Sequence, residues 1–225
     1  MAHDLRNYMT PLRGRLDLLK RRAQRLQRSE DLRDIEVSIT TLMRLNRLIG
    51  SLLDVARIDQ GLFTLNLQPF NLMDIIKETV PSFSTRDTPI EVEGPEEVIL
   101  SADSDRLRQV IENLLANAAK YATKQTPILI DVKLEHQNDG MWVIVSISNQ
   151  GPAIPEDQLA HLFQPFVAGS SSQGLGLGLY LARSIAQAHH GQLVVTSQGT
   201  NITQFTLSLP LDYEEGIERI DLLTT

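Results

Sequence analysis

Four short segments carry residue types and spacings that could do chemistry. His3 is followed by Asp4 and, one helical turn on, by Asn7. An imidazole held on a helix but outside its apolar stripe can present a ring nitrogen to an incoming group. An adjacent carboxylate can orient that ring and take its proton. Further along, Asn113 and Asn117 stand four apart on one helix face, with Lys120 close by. Asparagine is a mediocre helix former, its carbonyl oxygen can ligate Mg²⁺, and a lysine meets phosphate as a point charge. Asn149-Gln150-Gly151 follow an apolar strand, and a short polar acceptor before a glycine lets a flat ligand such as adenine approach the backbone. Finally, Gly174, Gly176 and Gly178 run into a helix, where backbone N–H groups and the positive helix end can hold phosphates. The glycine repeat lacks the Gly-Lys-Ser/Thr ending of a Walker loop. A Ser-rich loop precedes it instead of the strand that a dinucleotide fingerprint needs. That loop, 167–173, has the composition of a mobile lid. Each signal has a plainer reading alone: an exposed helix start, a solvated asparagine pair, a strand-ending turn, a flexible linker.

The elements that must position these residues fall into two parts. From Leu5, apolar residues recur at Met9, Leu12, Leu16, Leu19, Ala23 and Leu26, steps alternating between 4 and 3, the spacing of a coiled-coil seam. The polar run Arg28-Ser29-Glu30-Asp31 breaks the pattern, with Ser29 placed to cap a second helix. That helix repeats the seam at Ile35, Ile39, Leu42, Asn46, Ile49, Leu53 and Ala56, where Asn46 alone is polar. A single seam Asn commonly fixes register or oligomeric state. Leu45, Leu48 and Leu52 widen the stripe beyond what one partner helix can cover, so a dimeric four-helix bundle is the natural solution. Gly61 ends the second helix.

Beyond it the period changes. Strand-like stretches occur at 90–92, 128–134, 142–148, 193–197 and 205–209, with helical stretches at 72–80, 105–121, 156–162 and 177–189. Paired strands with helices between them imply an α+β arrangement: an α/β sandwich with a mixed sheet and helices on one face. Asp139-Gly140 supplies a hairpin turn. The expected organisation is a helical hairpin over 1–62, a second domain over 63–211, and an acidic tail over 212–225 to which no role is assigned.

Bulk properties narrow the function classes. The 225 residues are 42% hydrophobic and 22% charged, ordinary for a globular chain. The net charge of −7 divides unevenly: 12 Lys/Arg against 8 Asp/Glu up to Phe63, a local +4, and 9 against 20 beyond it, a local −11. Cations so interspersed with anions read as a solvated helix surface, not as a nucleic-acid interface. No run of about 18 apolar residues spans a membrane and no leader segment is visible, so no membrane contact is expected within this segment. With no cysteine, disulfides, Cys-ligated zinc and thiol catalysis are excluded, which suits a cytoplasmic location.

In order and spacing these segments resemble the sensor histidine kinases of two-component systems over about residues 1–211. MAHDLRN is similar to the phosphoacceptor box, ENLLANAAKYA to the asparagine box, SNQGPAIP to the first glycine box, LFQPF to the phenylalanine box, and GLGLGLYLAR to the second glycine box. LLDVARIDQG resembles the end of the second dimerisation helix. The resemblance implies a homodimer that uses ATP and Mg²⁺ to phosphorylate His3, then passes the group to an aspartate of a response-regulator receiver domain. It implies Asp4 as acid/base neighbour and Asn7 as the residue that orients a water for regulator dephosphorylation. Asn117 becomes the main Mg²⁺ ligand with Asn113 beside it, and Lys120 and Tyr121 lie toward the phosphates. Asn149 and Gly151 meet adenine, Gly174, Gly176 and Gly178 form the phosphate-facing end of the lid, and Phe163 and Phe166 couple the lid to the helical bundle.

Three positions depart from the family pattern. Tyr8 stands where proline is usual, which moves the expected kink about one turn along to Pro11. Asn149 replaces an aspartate, keeping an acceptor without its charge. Ala153 replaces the second glycine of its box. The competing readings are an ATPase of the topoisomerase and chaperone superfamily, an anti-sigma serine kinase, and a nucleotide-binding or non-catalytic dimeric scaffold. The first needs a glutamate general base where Asn113 stands, and Glu112 is turned about 100° away on the helix. The second lacks the opening helical hairpin.

Overall fold

The computed structural model describes residues 2–137, 140–167, 175–197 and 201–211, with 2–9 described by backbone alone. They form two compact units, one of residues 2–63 with 175–177, the other of 64–167 with 178–211. The Asp139-Gly140 turn and the 212–225 tail lie outside the described residues in whole or in part, as does most of the 167–173 loop.

The first unit is an antiparallel-type hairpin of α1 (Ala2–Arg25) and α2 (Ser29–Asp59), which pack against each other. The α1 end is closed by Gln27, whose φ of 53° allows Arg28 N–H to reach the Ala23 carbonyl at 3.0 Å, a Schellman arrangement. Ser29 does not cap α2; it is the first helical residue, and Arg28 precedes it without a side-chain capping bond. At the far end Gly61, with φ of 66°, lets Leu62 N–H bond the Arg57 carbonyl at 2.8 Å. Lys20 and Glu36 pair across the hairpin at 3.0 Å. Pro11 sits inside α1, where it removes one backbone donor.

The two-helix seam buries little by itself. Among the described side chains of this unit, Ala23, Leu42 and Val55 are the buried apolar ones. On α2 the expected seam positions Leu53 and Ala56 are half-buried and exposed, whereas Val55 is buried. Leu18, Leu26, Val37 and Leu45 remain 50–66% exposed.

The second unit is an α/β sandwich. Its strands are β1 (Gln68–Asn71), β2 (Ile90–Glu93), β3 (Ile99–Ala102), β4 (Ile128–Gln137), β5 (Gly140–Gln150), β6 (Gln192–Thr196) and β7 (Ile202–Pro210). The helices are α3 (Leu72–Thr79), followed by a 3₁₀ turn at Val80–Ser82, α4 (Ser104–Tyr121), the single turn α5 (Glu156–Leu159), and α6 (Gly178–Ala188). The main sheet runs β2-β4-β5-β7-β6, with β2 parallel to β4 and the other pairs antiparallel, while β1 and β3 make a separate two-stranded ribbon. Alternation sets the layers: Ile128, Ile130, Val132, Val143, Val145, Ile147, Phe205, Leu207 and Leu209 turn to one face and are buried. Against them lie the apolar stripes of α4 and α6, including Leu107, Ile111, Leu114, Leu115, Leu181 and Ile185, all fully buried. The expected helix at 156–162 shortens to one turn, because the chain behind it takes up turns instead of continuing.

Two polar hubs tie the ends of these elements together. Asn71 Oδ1 accepts from Met73 N–H at 3.1 Å, capping α3, and from Val98 N–H at 3.0 Å, fixing the approach to β3. Asp103 caps α4 through Arg106 N–H at 3.1 Å and accepts from Asn66 N–H at 2.9 Å. Its own backbone N–H donates to His189 Nε2 at 3.0 Å, and His189 Nδ1 lies 2.8 Å from the Ile185 carbonyl. His189 is buried at the end of α6, so its ring is neutral with the proton on Nδ1.

Burial holds the His189 pKa below its ordinary value, against the opposing pull of the Ile185 carbonyl and Asp103, while His190 adds to the lowering. The unfolded chain therefore binds a proton that the folded one refuses, and stability drops as pH falls through the unfolded value of about 6.5. Thermal unfolding read from Trp142, the one tryptophan, should show a midpoint that declines between pH 7.5 and 5.5. In His189→Gln that decline should flatten, with a loss of about 1–3 kcal/mol at pH 7.5. An equal pH slope in both proteins would contradict the role given to His189.

Candidate functional site

The site residues of the second unit are set by α4, whose apolar side chains at 107, 110, 111, 114, 115 and 118 are all 0% exposed. Burying that stripe turns Asn113, Asn117 and Lys120 to a different face. Asn113 and Asn117 are half-buried and one turn apart; Lys120 and Tyr121 are exposed at the helix end. Lys120 Nζ donates to Tyr121 Oη at 2.9 Å and lies 4.6 Å from the Tyr121 ring centroid.

Asn113 has a defined partner. Its Nδ2 donates to the Gly178 carbonyl, the first residue of α6, at 3.1 Å. A Cβ on Gly178 would stand 3.3 Å from Asn113 Oδ1, so the glycine admits the amide. The side chain thus joins α4 to the start of α6.

At the other end of α4 the chain leaves the helix at Ala122, and Thr123 N–H bonds the Gln150 carbonyl at 2.7 Å. Gly151 N–H bonds the Asn201 carbonyl at 2.7 Å. A Cβ on Gly151 would collide with the Tyr121 carbonyl and come within 3.2 Å of Asn149 Nδ2. The glycine is therefore required by the packing of α4 on the β5 exit, whatever ligand approaches it. Asn149 is 3% exposed, with Nδ2 at 3.3 Å from the Gln150 carbonyl.

Sequence reasoning missed two neighbours. Thr203 stands opposite Asn149 in the β5–β7 register. Its Oγ1 is 3.0 Å from Ser197 Oγ, which accepts from Ile154 N–H at 2.9 Å. Both hydroxyl residues are buried. A signal existed for Thr203: it shares the inward parity of Phe205, Leu207 and Leu209, where a polar residue is out of place. Ser197 gave none.

The remaining expected site residues are distributed as follows. Phe163 meets Phe205 edge-on at 6.4 Å, and Arg183 lies 5.1 Å from its ring centroid, so its ring is engaged within the sandwich. Phe166 is 61% exposed with φ of 65°. Gly176 has φ of 69°, and Gly174 lies outside the described residues. Positions 3, 4 and 7 lie on α1, 3 and 7 one turn apart.

The donor set decides what metal chemistry fits. Asn117 and Asn113 offer neutral amide oxygens, and among the described residues no three His, Asp or Glu side chains gather to hold an ion. Such a set suits Mg²⁺ carried in by phosphate oxygens and water, not a dedicated protein cage.

The chain thus combines a helical hairpin with an α/β sandwich in which the end of α4 lies against the glycine-bearing exit of β5. Residues 1–61 match the His Kinase A (phospho-acceptor) domain, and residues 102–213 the histidine kinase-, DNA gyrase B- and HSP90-like ATPase. The alginate biosynthesis sensor protein KinB of Pseudomonas aeruginosa is 30% identical over 93% of the chain and 36% of its own length. A bacteriophytochrome of the same species is 32% identical over 96% of the chain and 29% of its own length. The chain thus spans about a third of these curated relatives. In fold it is similar to full-length ShkA in complex with AMPPNP, with TM-score 0.70, 21% identity, and coverage of 96% of this chain and 47% of that one. The chain belongs to the sensor histidine kinases and comprises their histidine-bearing and ATP-binding core.

If the Asn113–Gly178 bond positions the start of α6 for nucleotide, Asn113→Ala should raise the Kd for ATP–Mg²⁺ about 3- to 10-fold. The thermal midpoint should fall by only about 2–4 °C. Isothermal titration checks the first; an unchanged Kd would contradict it.

Proposed function

We propose that this chain autophosphorylates His3 from ATP and passes the phosphoryl group to an aspartate of a response-regulator receiver domain. The observation that carries the reading is the convergence on one unit of the Asn113, Asn117 and Lys120 face, Gly178 at the start of α6, and the buried Asn149 at the β5 exit. Its counterpart is the His Kinase A match over residues 1–61, which contains His3. The proposed organisation is residues 1–62 as dimerisation and phosphotransfer hairpin and 63–211 as ATP-binding domain.

Phosphoryl transfer needs positioning and charge compensation more than covalent help from the protein. Asn149 accepts the exocyclic amine of adenine, and Gly151 keeps the backbone low beneath the ring. Lys120 and Tyr121 would meet phosphate oxygens, the glycines around 174–178 would offer backbone donors, and Asn117, with Asn113 beside it, would hold the ion. Mg²⁺, when bound, compensates the charge on the β- and γ-phosphates. A neutral ring nitrogen of His3 forms a bond to the γ-phosphorus as the bond to the bridging oxygen breaks and ADP leaves. Asp4 orients the ring and takes the proton from its other nitrogen. Phe163 and Phe166 pass motion of the lid toward the hairpin. Asn7, one turn from His3, orients a water that removes phosphate from the regulator.

A homodimer is supported by the apolar side chains that one hairpin leaves uncovered, Leu18, Leu26, Val37 and Leu45 among them, which a second copy would bury as a four-helix bundle. No described helix is long and apolar enough to cross a membrane; use of ATP and of a receiver domain supports work in the cytoplasm.

Incubation with γ-labelled ATP and Mg²⁺ should give acid-labile label on the wild-type chain and none on His3→Gln, while Asn7→Ala keeps the label but loses regulator dephosphorylation. Label that persists in His3→Gln would refute the assignment of His3, and undiminished dephosphorylation in Asn7→Ala that of Asn7.

A further inference from the structure

The segment 160–167 follows the single turn α5 and leads toward α6, and its backbone bonds are local. His161 N–H bonds the Gln158 carbonyl at 3.1 Å, Leu162 N–H the Leu159 carbonyl at 3.3 Å, and Gln164 N–H the His161 carbonyl at 2.9 Å. Phe163 supplies a contact across the unit. Its half-buried ring meets Phe205 edge-on at 6.4 Å, with the ring planes 88° apart, and Phe205 is fully buried in the sheet.

The same ring carries a second contact, from the helix further along the chain. The Arg183 guanidinium carbon lies 5.1 Å from the Phe163 centroid, within the range of a cation–π interaction. Arg183 is exposed, in the second turn of α6. That helix is fixed on both sides of it: Gly178 is bound to Asn113 of α4, and Leu181, Ala182, Ile185 and Ala186 are buried. The helix therefore holds the arginine, and the arginine holds the ring. A contact between the two ends of a stretch of chain narrows the arrangements open to that stretch. Order imposed in advance does not have to be imposed when a ligand binds. A guanidinium also suits phosphate directly, and experiment separates the two roles.

We propose that Arg183 is a positioning residue for nucleotide binding: stacked on Phe163, it holds the segment 160–167 to α6 and so prepares the chain that returns to Gly178 for the triphosphate. The inference rests on the reading above, in which the glycines at the start of α6 face phosphate. An exposed cation–π contact changes an equilibrium by about 2- to 5-fold, which sets the size of the effect.

The test is isothermal titration of ATP–Mg²⁺ into the whole chain as wild type, Arg183→Gln, Phe163→Leu and the double variant, with amide exchange at 160–164 read on the same proteins. Arg183→Gln should raise the Kd about 2- to 5-fold and speed exchange at 160–164. Its kcat for autophosphorylation at saturating ATP should stay within about 2-fold of wild type. In the Phe163→Leu background the same substitution should add less than about 1.5-fold to the Kd, because the two residues act as one unit. A full further loss in that background would show that Arg183 meets the nucleotide itself. An unchanged Kd in Arg183→Gln would show that the ring contact serves the fold alone. Either result overturns the proposal and leaves the kinase reading intact, whereas a wild-type chain that binds no ATP removes both. Should Phe163→Leu fail to fold, a raised Kd in Arg183→Gln with unaltered exchange at 160–164 overturns the proposal, and a raised Kd with faster exchange bears it out.

Discussion

The Tyr121 carbonyl at the end of α4 occupies the space where a side chain on Gly151 would begin. That approach lets Thr123 N–H reach the Gln150 carbonyl, so the exit of α4 and the exit of β5 are joined by backbone. The asparagine face of α4 and the buried Asn149 are then placed relative to one another by the main chain, before any ligand arrives. A second junction, Asn113 to the Gly178 carbonyl, fixes the start of α6 to the same helix. Preorganised donors and acceptors of this kind do their work without reorganising when charge moves.

The rest of the sandwich keeps α4 rigid enough for this to matter. Its apolar stripe is wholly buried against the sheet and α6, and its N-terminus is capped by Asp103, which also receives Asn66 and donates to His189. One helix therefore carries both the Asp103 hub at its start and, toward its end, the face of Asn113, Asn117 and Lys120. The hairpin unit differs, since few of its described apolar side chains are buried and several, Leu18 and Val37 among them, are largely exposed.

Much of this was readable from the chain because the signals were local and periodic. The α4 stripe at 107–118, the alternation of β4, β5 and β7, and the glycine after α2 each follow from spacing. Ribbon strands β1 and β3 were not, being four residues each with mixed burial and a proline in the first. Ser29 invited a capping assignment that the backbone turned into a first helical residue. The His189–Asp103 bond joins residues 86 apart, and Ser197 meets Ile154 across 43; such pairs exist only once the sheet is assembled. At Gly151 the sequence signals a close backbone approach, and the approach within the fold is that of the Tyr121 carbonyl.

The central claim is that the amides of Asn117 and Asn149 border a nucleotide while Asn113 stays bound to the backbone. Side-chain amide NMR during titration with ATP–Mg²⁺ tests it directly. The Asn117 and Asn149 NH₂ signals should shift and saturate at one common Kd, with the Asn113 signal remaining protected from exchange. Saturable nucleotide binding with the Asn117 and Asn149 signals unmoved would contradict the account.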